Sequence, residues 1–280
     1  MNGSDQRPTK GSERSESSRS GEAVHDGPAR SGRLALVSGG SGGIGFACAR
    51  RLAAKGYQLL LTARRPDPLA RAAAEIGPAA RWVAGDCSDE DDVERLVDGV
   101  EHIDLLVHAA GILEGTIVRK QPVEVFDRVI RSNLRSTYLL SKYVVPKMEV
   151  GGRIIFISSL ASLEGIPSLS AYSSPKAGMN ALAQALAGEV ERDGISVHLV
   201  IAGPVDTAMF GDHARKVVSL RPDDVADVVA WLDELDPRIA IRQIVMDPVA
   251  TGPFADGKAS VDRVVDPAHL GTSGLEDVAG

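Results

Sequence analysis

Short apolar runs alternate with longer amphipathic segments along most of this chain. Consecutive apolar positions are typical of strands buried on both faces of a parallel sheet, and they predict strands at residues 34–37, 58–62, 81–85, 103–107, 153–157, 195–201 and 239–246. Helical spacing of apolar residues predicts helices at residues 44–55, 89–98, 122–148, 172–191 and 222–235. This alternation predicts an α/β fold that is Rossmann-like and doubly wound, with a seven-stranded parallel sheet flanked by helices.

The two ends of the chain lack this pattern. Residues 1–32 are rich in Ser and Gly, almost lack large apolar side chains, and mix acidic with basic residues. Such a segment cannot bury enough apolar surface to order itself, and it has no apolar core of a secretory signal. We expect a disordered tail over residues 1–32, a single Rossmann-type domain over residues 33–250, and a weakly structured tail over residues 251–280.

The composition narrows the class of protein. The chain has 280 residues, of which 44% are hydrophobic and 25% charged, as in ordinary globular proteins, and its net charge of -7 offers no basic surface for nucleic acid. No apolar run approaches the ~18 residues that a membrane-spanning helix needs. Cys48 and Cys87 are far apart and lack metal-ligand spacing, so we expect buried thiols in a reducing compartment. These features favour a cytoplasmic protein that binds no nucleic acid, membrane or metal.

A glycine-rich turn follows the first predicted strand and leads into the first predicted helix. Gly39, Gly43 and Gly45 form a G-x-x-x-G-x-G pattern around Ser41 and Ile44. In this setting, glycines permit a tight turn, close approach of the backbone to a pyrophosphate, and close packing of helix on strand. The free N–H groups of the helix N-terminus would face the phosphates. A plain glycine-rich turn is the alternative, and the strand–turn–helix context favours dinucleotide binding.

The end of the second predicted strand indicates which dinucleotide is bound. A carboxylate there would accept the ribose 2′-hydroxyl of NAD, but Arg64 and Arg65 stand in its place. Guanidinium groups suit a 2′-phosphate, and Ser41 could assist them. An arginine pair exposed to solvent at a helix start is the alternative. The sequence therefore favours NADP(H) over NAD(H).

Two further strand ends carry candidate cofactor residues. Asp86 and Cys87 follow the third predicted strand, where the Asp86 carboxylate could bond an adenine amine. Asp86 could equally start the next helix, although Ser88 is the better N-cap candidate. After the fourth predicted strand, small residues would let the backbone approach a ligand closely: Ala109, Ala110 and Gly111.

Ser159, Tyr172 and Lys176 form a candidate catalytic set. Ser159 follows the fifth predicted strand, and Lys176 follows Tyr172 by four residues, which places both on one helical face. A nearby ammonium would pull the tyrosine pKa down toward the working pH, and the Ser159 hydroxyl could hold a substrate carbonyl oxygen beside the phenol. The alternative is a surface helix that happens to carry Tyr and Lys. Asn133, inside the predicted helix 122–148, becomes a candidate only if it faces this site.

Taken together, these motifs resemble the short-chain dehydrogenase/reductase family. The resemblance spans about residues 33–248 and rests on SGGSGGIG (38–45), Asp86, HAAG (108–111), Asn133, Ser159, YSSPK (172–176) and AGPVDT (202–207). It implies that Tyr172 is the general acid/base, that Lys176 binds the nicotinamide ribose and that Ser159 positions the carbonyl. It also implies that Asn133 holds a proton-relaying water and that Val205 and Thr207 contact the nicotinamide carboxamide. The implied substrate is a ketone, an aldehyde or the matching alcohol, and the implied assembly is a homo-oligomer, either a dimer or a tetramer.

Several positions depart from the family pattern. Ser38 replaces a threonine, His108 and Ala109 replace two asparagines, and Ala202 replaces a proline. Residues 207–220 are short for the family's substrate lid. Two alternatives remain open: a non-catalytic NADP-binding regulatory or interaction protein on the same fold, and an enzyme in which a water or His108, rather than Tyr172, donates the proton.

Overall fold

The computed structural model describes residues 32–209 and 218–249, which contain seven β-strands. They are Leu34–Ser38 (β1), Gln58–Ala63 (β2), Ala80–Ala84 (β3), Leu105–His108 (β4), Arg153–Ser159 (β5), Ser196–Ala202 (β6) and Gln243–Met246 (β7). All neighbouring strands pair in parallel, in the order β3-β2-β1-β4-β5-β6-β7. The predicted doubly wound sheet is confirmed, although β7 begins later than the apolar pattern indicates.

Seven α-helices flank the sheet within the described ranges. They are Gly43–Ala54 (α1), Pro66–Ile76 (α2), Glu90–Val97 (α3), Val123–Ile130 (α4), Ser136–Val144 (α5), Ser170–Val190 (α6) and Pro222–Glu234 (α7). One apolar core lies between the sheet and helices α3, α5 and α6, and another lies between the opposite face and helices α1, α2 and α7. Because both faces of the central strands are covered, those strands are mostly apolar, and their polar residues include the buried Ser38, His108 and His198.

The helix predicted over residues 122–148 is interrupted. A single π-helical segment, Arg131–Arg135, separates α4 from α5, and a short 3₁₀ turn, Val145–Lys147, ends the element. A π segment inserts an extra residue into a helix and is often found at functional sites. Here Asn133 lies within it and is completely buried. The apolar spacing on either side of the segment is helical, and it therefore predicts one continuous helix.

The start of α3 also differs from the prediction. Its N-cap is Asp89, whose side chain accepts a hydrogen bond from Asp92 N at 3.2 Å. Ser88 lies one residue too early, and its N–H instead donates to Asp86 Oδ1 at 2.9 Å. Asp86 therefore closes a turn that ends just before the helix, so that the cap passes to the following residue.

Some predictions fall outside the described residues. These concern the tails, at residues 1–31 and 250–280, and most of the expected substrate lid, at residues 210–217. Within the described ranges, no helix combines the length and the apolar character needed to cross a membrane. Cys48 and Cys87 are both free and buried, as predicted.

Candidate active site

The glycine-rich turn after β1 brings backbone segments into close contact. Gly39 has φ of +71°, and a Cβ added there would lie 2.9 Å from Ala110 N. A side chain at Gly45 would overlap the carbonyl of Gly39, so α1 packs directly against the turn. Gly43 has φ of +53°, and a Cβ there would lie 3.2 Å from Thr207 Cγ2. The tertiary contacts thus give each glycine of the pattern a physical reason.

A cleft of about 160 Å³ opens beside this turn, at the carboxyl ends of β1 to β4. The strand order reverses between β1 and β4, which is where open α/β sheets bind their ligands. Predicted cofactor residues line most of it: Gly39, Ser41, Arg64, Arg65, Asp86, Cys87, Ala110 and Gly111. Four lining residues carry no sequence signal of their own: Ala63, Gly85, Ser132 and Ser136.

Two cations stand at the mouth of this cleft. Arg64 and Arg65 are exposed, and neither guanidinium is paired with a carboxylate among the described residues. Many other arginines of the described chain do have such a partner, for example Arg50 with Asp223 at 2.6 Å. Unpaired guanidiniums at a cleft are suited to bind an anionic group of a ligand.

The segment after β3 forms a second wall of the cleft. Asp86 N donates to Asp92 Oδ2 at 2.7 Å, and Arg135 Nε donates to Ser88 O at 2.8 Å, so this wall is tied both to α3 and to the π segment. Burial raises the pKa of the Cys87 thiol to about 12, which keeps it uncharged. Cys87 therefore contributes a neutral surface to the cleft.

The remaining predicted cofactor residues lie along the same edge of the sheet. Ile44 is in the first turn of α1, and Ala109 N donates to Ser38 O at 3.3 Å, so the chain after β4 follows β1. Val205 is buried and forms a bridge with Leu220. The sheet therefore gathers residues from four strand ends at one edge.

Ser159, Tyr172 and Lys176 meet at this edge. Ser159 ends β5, and Tyr172 and Lys176 lie one turn apart in the N-terminal part of α6. The Ser159 hydroxyl accepts from Ala161 N at 3.2 Å and lies near enough to the Tyr172 hydroxyl to lower its pKa. Lys176 Nζ donates to Ile157 O at 2.9 Å and lies 5.9 Å from the centroid of the Tyr172 ring. The structure therefore brings together the side chains that the sequence pattern grouped.

Burial dominates the titration of this group. It raises the pKa of Tyr172, and the nearby Ser159 hydroxyl offsets only part of that change. Burial also lowers the pKa of Lys176 to about 8. The expected lowering of the Tyr172 pKa by Lys176 is not found in this structure, because the ammonium is directed at Ile157 O and desolvation of the phenolate is the larger effect.

Asn133 faces the same site from the π segment. Its Nδ2 donates to Ile112 O and to Val129 O, both at 2.9 Å, whereas its buried Oδ1 has no hydrogen-bond partner in the part of the chain that is described. A Cβ added to Gly111 would overlap this oxygen and would lie 3.9 Å from Lys176 Nζ. Gly111 therefore keeps open the space between Asn133 Oδ1 and Lys176.

His108 is unsuited to be the proton donor. It is completely buried, and burial together with the positive charge of Lys176 lowers its pKa to about 3. Both ring nitrogens are occupied, Nδ1 by Ser38 Oγ at 2.6 Å and Nε2 by Ser136 Oγ at 3.3 Å. The imidazole is thus neutral and committed to internal hydrogen bonds, which speaks against the alternative in which it protonates the substrate.

A doubly wound parallel sheet with a glycine-rich turn at its switch point defines a nucleotide-binding α/β protein. The sequence matches the family model of the short chain dehydrogenases over residues 33–217. The chain therefore belongs to the short-chain dehydrogenase/reductase family of oxidoreductases, which bind a nicotinamide cofactor.

Relatives of known name and structure agree with this assignment. The 3-oxoacyl-(acyl-carrier-protein) reductase of Rickettsia bellii is 30% identical over an aligned length of 215, and the match covers 72% of this chain and 89% of that protein. The crystal structure of a dehydrogenase/reductase from Sinorhizobium meliloti is 31% identical with a TM-score of 0.71, covering 78% of this chain and 95% of that one. The structure of BdcA in complex with NADPH is 28% identical with a TM-score of 0.72, covering 78% and 93%.

Proposed function

We propose that this chain is an NADP(H)-dependent oxidoreductase that interconverts a ketone or aldehyde and the matching alcohol, with Tyr172 as general acid/base. The observation that carries the proposal is the meeting of Ser159, Tyr172 and Lys176 beside the cleft of the glycine-rich turn. The Ser159 and Tyr172 hydroxyls can hydrogen-bond a carbonyl oxygen, and Tyr172 can protonate it, with the Lys176 ammonium close by. Nucleotide binding alone does not require this combination of side chains.

The residues around the cleft fit a dinucleotide that carries a 2′-phosphate. Gly42 and Gly43 are exposed at the start of α1, and no side chain caps this helix, so its first N–H groups are available to a pyrophosphate. The side chains of Arg64, Arg65 and Ser41 would bind the 2′-phosphate. The Asp86 carboxylate would accept a hydrogen bond from the adenine amine. The NADPH bound to BdcA supports this choice. When bound, the nicotinamide supplies or accepts the hydride.

Tyr172 is placed to move the proton. In carbonyl reduction its hydroxyl donates to the substrate oxygen as negative charge develops there, while the Ser159 hydroxyl donates a second hydrogen bond to the same oxygen. Burial raises the pKa of Tyr172, so its hydroxyl is protonated at neutral pH and can act as the acid in reduction. In the reverse reaction the same residue would act as the base.

Lys176 and Asn133 would return the proton to Tyr172. Lys176 Nζ would hold the nicotinamide ribose while it keeps its bond to Ile157 O. Asn133 Oδ1, which is buried and open toward Lys176, would hold a water that passes protons from the ammonium to the tyrosine. An unsatisfied buried oxygen is costly in itself, so its presence supports a ligand at that position.

The surroundings of Tyr172 favour a substrate with an apolar substituent. Tyr172 packs in a small apolar cluster with Val129, Leu169 and Ile166. Leu163, on the loop that follows Ser159, is 51% exposed and would contact whatever enters from that side.

A panel of ketones and aldehydes with NADPH tests the activity. We expect turnover on at least one apolar carbonyl compound, and loss of that turnover in Ser159→Ala, which leaves the cofactor bound. Tight binding of NADPH without turnover on any substrate would instead support the non-catalytic alternative.

Variants of the arginine pair test the cofactor. Arg64→Asp is expected to weaken NADPH far more than NADH, because only NADPH carries the 2′-phosphate. Arg71→Asp is the matched control. Arg71 is exposed like Arg64, but it lies on α2 and does not line the cleft. Wild-type protein that binds NADH as tightly as NADPH would overturn the preference.

For assembly, we propose a homo-oligomer that packs the helices of residues 122–148 and 172–191 against their symmetry mates. The exposed Tyr138 on α5 supports contact at that surface. Light scattering measures the mass directly, and a version lacking residues 1–30 should keep both mass and activity. A monomer at working concentration would contradict the proposal.

A further inference from the structure

We propose that His108 is a positioning residue that sets the shape of the cofactor cleft through a directed chain of hydrogen bonds from Ala110 to the π segment. This inference rests on the proposed function, because the cleft is the one assigned to NADP(H). The chain uses the side chains of Ser38, His108 and Ser136 and joins two walls of the cleft.

The direction of the chain follows from its far end. Ser136 Oγ donates its only proton to Ser132 O at 2.7 Å, so toward His108 it can only accept. His108 Nε2 must therefore carry the hydrogen and donate it across the 3.3 Å contact. In a neutral ring this leaves Nδ1 as an acceptor.

The near end completes the chain. Ser38 Oγ donates to His108 Nδ1 at 2.6 Å and accepts from Ala110 N at 3.2 Å. Each donor and acceptor has one use, and every member of the chain has a partner. A protonated His108 would have to donate from Nδ1, which would turn the Ser38 proton away and set two donors against each other. The fully buried setting keeps the imidazole neutral.

The chain lies where it affects the ligand. Ala110 forms the floor of the cleft against Gly39, with the backbone contact already described. Ser132 in the π segment and Ser136 at the start of α5 line the opposite wall, on either side of Asn133 in sequence. Removing the imidazole would leave the Ser38 hydroxyl proton without its acceptor and Ser136 without the donor from His108, so the bonded connection between the two walls would be lost. We expect the cofactor, which spans both walls, to sense this change first.

His108→Phe tests the proposal, because it keeps a flat ring of similar size and removes both ring nitrogens. We expect NADPH to bind ~10-fold more weakly, since stranded buried polar groups commonly cost this factor or more, while kcat at saturating NADPH stays within about 3-fold of wild type. His108→Asn places an amide oxygen near the Nδ1 position and should restore most of the affinity. His108→Gln reaches Ser136 but not Ser38 and should restore less.

The matched control is His198→Phe. His198 is also completely buried and bonded at both nitrogens, to Ser196 Oγ and Ile241 O at 2.8 Å each, but it lies away from the cleft toward the amino edge of the sheet. It should lower thermal stability and leave the NADPH dissociation constant unchanged. If His108→Phe behaves in the same way, with lower stability and unchanged affinity of the folded protein, His108 is merely structural and the proposal fails.

A measurement on the wild-type protein is independent of how the variants fold. Nitrogen-15 NMR of the histidine rings should show His108 as the neutral Nε2–H tautomer from pH 8 down to pH 5. The opposite tautomer, or titration within that range, would break the chain and overturn the proposal. Wild-type protein that binds neither NADPH nor NADH would refute the proposed function itself, which these ring measurements do not depend on.

Discussion

Two groups of buried polar side chains lie at opposite edges of the same sheet. At the amino edge, Asp233 accepts from Arg33 at 3.0 and 3.3 Å and from Tyr57 at 2.6 Å. Close by, Arg153 donates to Leu235 O and to Ser196 Oγ. These charged and polar groups all have partners within the protein.

The carboxyl edge is less complete. Lys176 is as buried as Asp233, yet it has a single carbonyl partner, and Asn133 Oδ1 has none among the described residues. Buried polar groups in folded proteins are normally satisfied, so a shortfall at one place needs an explanation. The paired groups at the amino edge stabilise the fold. At the carboxyl edge, Asn133 Oδ1 and Lys176 Nζ can form further hydrogen bonds, which a ligand could supply.

The largest expected effect comes from replacing a tyrosine by phenylalanine, and the result should differ between the two edges of the sheet. Tyr172→Phe removes the hydroxyl that donates the proton, and we expect kcat to fall by ~10²–10⁴-fold with NADPH affinity nearly unchanged. Tyr57→Phe removes the hydroxyl that donates to Asp233 and should lower stability with kcat unchanged. Steady-state kinetics and NADPH titration check both variants. Near-normal turnover in Tyr172→Phe, with the basic limb of the pH profile unchanged, would remove Tyr172 from the mechanism.

The next effect concerns the amino edge alone. Asp233→Ala strands Arg33 and Tyr57 and removes the negative charge facing the buried Arg153. Half of Arg33 remains in solvent, which moderates the cost, and we expect a loss of about 2–3 kcal/mol in the free energy of unfolding. Urea unfolding measures it, with activity per folded molecule as the control. An unchanged midpoint would show that the pairing contributes little.

Acid sensitivity should come from both edges. Burial lowers the pKa of His198 to about 4 and that of His108 to about 3, so the unfolded chain binds protons first as the pH falls. Stability is therefore full above about pH 6.5 and declines below it, by about 2 kcal/mol at pH 5 for each histidine. Melting temperatures between pH 7 and pH 5 should fall less steeply in His198→Gln and in His108→Gln. Slopes equal to wild type in both variants would contradict the buried, neutral state.

The smallest expected effect is the loss of stability when an exposed ion pair is broken. Arg50 and Asp223 form an ion pair of 2.6 Å between α1 and α7, but both side chains are half-exposed. Arg50→Gln should cost less than about 1 kcal/mol, and the difference should shrink in high salt. Urea unfolding at low and high ionic strength checks this. A loss as large as that of Asp233→Ala would mean that burial does not separate the two kinds of pair.

Much of the fold and of the candidate site could be predicted from the sequence. Buried parallel strands are mostly apolar, so the seven strands and most of the helices follow from the local pattern, although that pattern does not predict α2 and predicts α4 and α5 as one helix. The turn of Gly39, Gly43 and Gly45 follows from backbone requirements that are equally local, and the four-residue spacing of Tyr172 and Lys176 fixes one helical face.

Only the tertiary structure decided the rest, because it depends on contacts between distant residues. Asp233 meets Arg33 across 200 positions of sequence, and Ser38 meets His108 across 70. The π segment that places Asn133 beside Gly111 is only five residues long, and the apolar spacing predicts one continuous helix through it. The raised pKa of Tyr172 likewise arises from burial by the surrounding chain rather than from its neighbour Lys176. Local spacing selects which residues can act, and desolvation by the assembled fold determines their charge.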